Sequence, residues 1–172
     1  VKIELVHSFD VARSVYEANI NNPEILKMCE GRLAYLKSRD LVESREGPGP
    51  NQHFWRFRCE ADYKMPAAAQ KVIGDKLGWF EESVFDRSEH VIRFQVLPPD
   101  RLKGRYKCGG DQVFVERGDG GMDRIMTVEM TVGIPIVGRM VEKHILERLE
   151  ETYVGEMEIQ KEFFARVGKK AV

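Results

Sequence analysis

The stretch that most constrains this chain is "TVGIPIVGRMVEKHILERLEET", Thr131 to Thr152, and its continuation to Val167. It opens as a strand, passes a Gly-Ile-Pro-Ile-Val-Gly joint and becomes a helix from about Ile136 to Val167. At about 100° per residue, Val141, Ile145, Leu149, Ile159, Phe163 and Val167 share one sector about 80° wide, with Arg139, Glu150, Glu158 and Lys161 opposite. Such a helix is roughly 45 Å long, so its apolar stripe demands an extended cover. A curved sheet running along it meets that demand. Pro135 fixes φ and lacks an N–H, so it can end a ladder and start a helix. Gly138 lets the first helical turn come close to the sheet. The apolar joint would then close one end of the space between sheet and helix.

The rest of the chain supplies the strands. "VKIELVHSF" alternates apolar and polar residues with a period of two. A short helix carrying Val11, Val15 and Ala18 follows, with Ser8 or Asp10 as its cap, and Pro23 suits the first turn of a second. "LKSRDLVESREGPGP" reads as a strand running into a turn. "QHFWRFRCEADYKM" alternates, imperfectly near Phe54, and "MPAAAQKVIGDKLG" reads as a connector with one helical turn. "WFEESVFDRS" and "HVIRFQVLPP" form a pair joined near Arg87–Glu89. Arg105 to Ile134 reads as a long hairpin turning at Gly118-Asp119-Gly120-Gly121, with a bulge or bend at Gly109-Gly110. The order predicts one α+β domain over residues 1–172: a curved antiparallel β-sheet wrapped around a long C-terminal α-helix, with two short helices after the first strand.

Composition excludes several functions. A net charge of -1 gives no electrostatic case for nucleic acid. Cys29, Cys59 and Cys108 are odd in number and lack C-x-x-C spacing, which argues against a disulfide framework or zinc. His7, His53, His90 and His144 show no metal-binding spacing, so neither metal nor cofactor is expected. No run is long and apolar enough to span a bilayer, and no signal-peptide pattern is present, so a cytoplasmic location is expected.

A strongly bent sheet cannot touch a straight helix everywhere, so this arrangement tends to enclose a cavity. "KMPAAAQKVIG", "LPPDRLKGRYKCGG" and "TVGIPIVGRMVEKHI" carry a resemblance. The element order resembles the helix-grip order of the START / birch-pollen-allergen / polyketide-cyclase (SRPBCC) superfamily, and these motifs resemble an uncharacterised bacterial START-like family within it. The resemblance implies binding of a hydrophobic or amphipathic small molecule, lipid, sterol or polyketide-like, in an internal cavity. Alternatives are a cyclase, dehydratase or hydrolase using the same cavity, or a ligand-free interaction module.

On the helix, the expected ligand-binding residues are Val141, Ile145, Arg148, Leu149, Thr152, Glu156 and Ile159. Glu156 falls within the apolar sector, where a charge is costly unless paired. It either orients a ligand's polar head with Thr152 and Arg148, or meets water because the helix curves away. No catalytic set is assigned. Glu156 and His144 are the two acid/base candidates, and they lie about 120° apart on the wheel. Met28, Met65, Met126, Met130, Met140 and Met157 suit either core or an adaptable pocket, as do Phe54, Trp55, Phe57, Trp79, Phe80, Phe94 and Phe114. Cys108 is expected buried and inert. Arg101, Lys103, Arg105 and Lys107 form a basic cluster suited to transient contact with a membrane surface, although a solvated strand face is the default.

Overall fold

In a computed structural model of the chain, the structure describes residues 1–62, 67, 70–71, 74 and 77–170, with side chains through 167. The connector expected over residues 65–78 lies mostly outside the described residues, as does Met65. Seven strands form one antiparallel sheet: β1 (Lys2–Phe9), β2 (Leu36–Glu46), β3 (Gln52–Ala61), β4 (Gly78–Asp86), β5 (Val91–Leu97), β6 (Tyr106–Glu116) and β7 (Met122–Val132). Their order is β1-β7-β6-β5-β4-β3-β2. After β1 come two short helices, α1 (Arg13–Glu17) and α2 (Pro23–Cys29), and the chain ends in the 33-residue helix α3 (Gly138–Lys170). This is a curved antiparallel sheet gripping a long helix, the predicted fold class.

Local chemistry explains the elements and corrects some expectations. The helix α1 begins at Arg13 behind Ala12, without the side-chain cap expected from Ser8 or Asp10. Asp10 instead bonds Arg117 at 3.1 Å, and Arg117 also grips Asp119 and Asp123, locking the β6–β7 turn. It is Tyr16, rather than Val15, that α1 buries. Asn22 caps α2 by accepting a 2.8 Å bond from Glu24 N–H, with Pro23 at the first helical position. Phe54 explains the broken alternation of β3: neighbouring Trp55 and Phe57 belong to the core, whereas Phe54 is covered by the guanidinium of Arg45, 4.1 Å from its ring.

No register shift occurs at Gly109-Gly110; the ladders to β5 and β7 run straight through. The need there is for space, since a Cβ on Gly110 would lie 1.8 Å from Thr127 O. The irregularities fall in edge strand β2, between Leu36 and Ser38 and between Leu41 and Glu43.

The joint behaves much as its residues suggest. A Cβ on Gly138 would lie 2.2 Å from Val132 O, so the first turn of α3 sits against the end of β7. Buried Glu142 reaches back to accept a 2.7 Å bond from Val132 N–H, satisfying the donor where the ladder stops. Ile134 is buried in the core and Val137 packs against it, closing this end. Pro135 lies three residues ahead of the helix, in the preceding turn, and Ile136 points outward, fully exposed with φ +71°.

Candidate functional site

Two cores hold α3 against the sheet. Near its start, Val141, Ile145 and Leu146 pack with Met126, Val128, Met130 and Phe94. Near its end, Phe163 and Phe164 pack with Phe9, Tyr16, Phe85, Phe114 and Met122. Between these anchorages the sheet bows away from the helix. A cavity of about 430 Å³ lies there, within the range of sites for drug-sized molecules. One wall is the middle of α3, another is β3 to β6, and a third runs from α2 through the segment after it into β2.

Of the expected helix residues, Ile145, Arg148, Leu149, Thr152 and Glu156 line this cavity. Val141 and Ile159 do not; both are buried, at 0% and 3% exposure, Val141 within the core near the helix start. They share the stripe's angle but lie beyond the bowed part along the axis, where sheet and helix touch. Thr152 also departs from its expected role. Its hydroxyl lies 2.6 Å from Ala34 O and 2.8 Å from Arg148 O, so it ties the segment after α2 to the helix. Arg148 stacks over the Tyr35 ring at 4.4 Å and pairs with Glu151 at 3.2 Å.

Glu156 faces inward, onto charge that the sequence had not connected with it. Its carboxylate lies 3.8 Å from Nη1 of Arg124, a β7 arginine only 1% exposed. Arg124 donates to Tyr16 Oη at 3.1 Å and to Gln160 Oε1 at 3.3 Å, and its Nη2 meets His7 Nδ1 at 2.8 Å. Burial, then the charges of Arg124 and Lys161, lowers the His7 pKa to about 4. His7 is therefore neutral near pH 7, and its Nδ1 accepts from Arg124. Burial works against the charge of Arg124, but the fields of Tyr16 and Glu156 outweigh it and leave its pKa above the ordinary arginine value.

A second pair reaches the same region from the sheet. Arg39 on β2 bonds Glu81 on β4 at 2.9 Å and lies 3.8 Å over the Phe57 ring. Burial opposes its charge, but Glu81 and Glu156 more than restore it. Arg39, Glu81, Gln112 and Glu156 line both the main cavity and an adjoining recess of about 50 Å³, which Arg124, Tyr16, Gln160 and Ser83 also border. The cavity thus has an apolar body, with Trp79, Phe94, Val96 and Leu149 on its walls, and a charged inner end.

Sequence reasoning missed most of this inner end. A lone arginine in "MDRIMTVEM" has no periodic signal beyond its place in the alternation. Its inward position follows from pairing with β1, where it stands opposite His7. All three cysteines line the cavity as free thiols. Burial pushes Cys29 and Cys108 up to about 11 and Cys59 up to about 12, so they remain protonated. Burial likewise raises the pKa of Tyr153 well above the usual phenol value. His144 is not among the lining residues, so it and Glu156 do not converge. Among the described methionines none lines the cavity: Met126 and Met130 are core, and Met140 is exposed. Trp79 and Phe94 are the two wall aromatics among those singled out, joined by Tyr35, Tyr106 and Tyr153. Among the described residues no cluster could hold a metal ion, and no helix is long and apolar enough to cross a membrane.

Comparison with known proteins places this geometry. No curated protein matches the sequence. Among solved structures, TTHA0849 from Thermus thermophilus is 22% identical with a TM-score of 0.63, over 92% of this chain and 96% of that one. The Zhui aromatase/cyclase from Streptomyces sp. R1128 is 12% identical with a TM-score of 0.64, over 94% of each chain. A START superfamily protein from Mycobacterium smegmatis is 14% identical with a TM-score of 0.57, over 93% of this chain and 97% of that one. These likenesses show the fold, a helix grip shared with the START and aromatase/cyclase structures. Residues 42–163 match the family described as "Protein of unknown function (DUF2505)", and the chain belongs to that family.

Proposed function

We propose that this chain acts as one domain that binds a hydrophobic or amphipathic small molecule in the cavity under the middle of α3. The observation that carries this reading is the cavity itself: about 430 Å³ of space bounded by Ile145, Leu149, Trp79 and Phe94 rather than filled by them. The START and aromatase/cyclase proteins with this fold support it. A ligand burying roughly 300 Å² of apolar surface gains about 7 kcal/mol from that burial. The cost of immobilising it is subtracted from that gain, so apolar burial alone supports affinities weaker than about 10 micromolar. Of the seven helix residues expected to bind, Ile145, Arg148, Leu149, Thr152 and Glu156 form the helical wall of the proposed site.

The test is a fluorescence titration with Nile red, a neutral apolar dye. Saturable one-to-one binding with a blue-shifted emission is expected, and Leu149→Trp, which fills the space, should abolish it while leaving the far-UV dichroism intact. A wild-type protein that leaves the dye in water, or a tryptophan variant that binds as well as wild type, would overturn the reading.

A further inference from the structure

The inner end of the cavity carries two basic and two acidic side chains facing one small volume: Arg39 and Arg124 against Glu81 and Glu156. His7, behind Arg124, is neutral, so the set sums to zero. Their pairing is nevertheless incomplete. Glu156 accepts one described hydrogen bond, a long one of 3.4 Å from Gln160 Nε2, and its other oxygen stands 3.8 Å from Arg124. Arg39 gives Nη2 to Glu81. Arg39 and Glu156 feel each other's field, yet no ion pair joins them. The recess they share is about 50 Å³, room for one small polar group.

We infer that the ligand is an uncharged amphipathic molecule that enters hydroxyl group first, the hydroxyl accepting from Arg39 and donating to Glu156. A hydroxyl is both donor and acceptor, as this gap requires. A carboxylate would bring a third negative charge towards Glu81 and Glu156, and an ammonium a third positive charge towards Arg39 and Arg124. Either leaves a buried charge uncompensated, which costs more than the hydrogen bonds return. The apolar body then lies along Leu149, Ile145, Trp79 and Phe94. This inference rests on the binding reading above and specifies the head group.

The experiment displaces Nile red with dodecan-1-ol below its solubility limit and with dodecanoate and dodecylammonium below their micellar concentrations, at pH 7.5. Dodecan-1-ol should displace the dye at a concentration at least tenfold lower than either ion. Glu156→Gln removes one negative charge and should bring dodecanoate level with or ahead of the alcohol. Arg39→Gln is the mirror variant and should favour dodecylammonium, so the test survives if one variant fails to fold. If the dye binds but the three chains compete equally, or if neither folded variant reorders them, the head-group inference falls while binding stands. If the dye does not bind at all, the binding reading falls and takes the inference with it.

Discussion

The middle of α3 and its far end share one apolar stripe but meet opposite surroundings. At the far end Phe163 and Phe164 sit in a close cluster of rings, 5.3 Å apart from each other, with Phe164 5.7 Å from Tyr16 and 6.3 Å from Phe9. In the middle, Leu149 and Trp79 line open space, which Ile145 and Phe94 border from the edge of the core near the helix start. The far end contributes stability through contact, and the middle gives up contact for volume. Hydrophobic patterning alone does not tell a helix residue which of these it will do.

Truncation separates the two regions most strongly. Phe163→Ala should cost about 4 kcal/mol in urea denaturation, because the surrounding rings cannot collapse into the hole. Leu149→Ala, which already borders space, should cost under about 1.5 kcal/mol. Equal losses would mean that the middle is filled.

The cysteines probe the same contrast kinetically. With thiols raised to about 11, Cys29 and Cys108 should react with a neutral maleimide at pH 7.5 roughly 100-fold more slowly than an ordinary cysteine. Nile red in the cavity should slow them further. Rates near those of free cysteine, unchanged by the dye, would show that these thiols face bulk solvent.

Acidification should weaken the inner end selectively. The folded pKa of His7 is depressed to about 4 from an ordinary 6.5, so the unfolded chain binds the proton first. Stability from this group is complete above about pH 6.5 and is lost as pH falls towards 4, by about 3 kcal/mol. His7→Gln, whose carbonyl can still accept from Arg124, should flatten the decline between pH 6.5 and 4.5, above the range where most carboxylates titrate. A slope unchanged by that variant would exclude His7 as its source.

The smallest effect is expected at Thr152. Thr152→Val removes the hydroxyl that ties Ala34 to the helix, at a cost of about 1 kcal/mol. Stopped-flow release of Nile red should become faster, with little change in the far-end core. Release at the wild-type rate would show that this tie does not hold the cavity wall.

Much of the fold was legible because period and punctuation are local. The stripe on α3, the alternation of the strands, Pro23 at a helix start and the glycine turn of the last hairpin are each set by residues close in sequence. Glu156 was legible as an anomaly, a charge on an apolar sector. Its neighbours were not: Arg124 meets it from β7, and Tyr16 and His7 complete that cluster from the opposite end of the chain. Val141 and Ile159 were placed on the site because a wheel records angle and discards position along the axis.

The sequence by itself determined that a long amphipathic helix must be covered by an antiparallel sheet, since a continuous apolar stripe and period-two strands have few other ways to leave water. Only the tertiary structure decided where that sheet stands off the helix, and which charges meet in the space left. Both depend on curvature accumulated over seven strands and on pairings between residues more than a hundred positions apart, which no local pattern encodes.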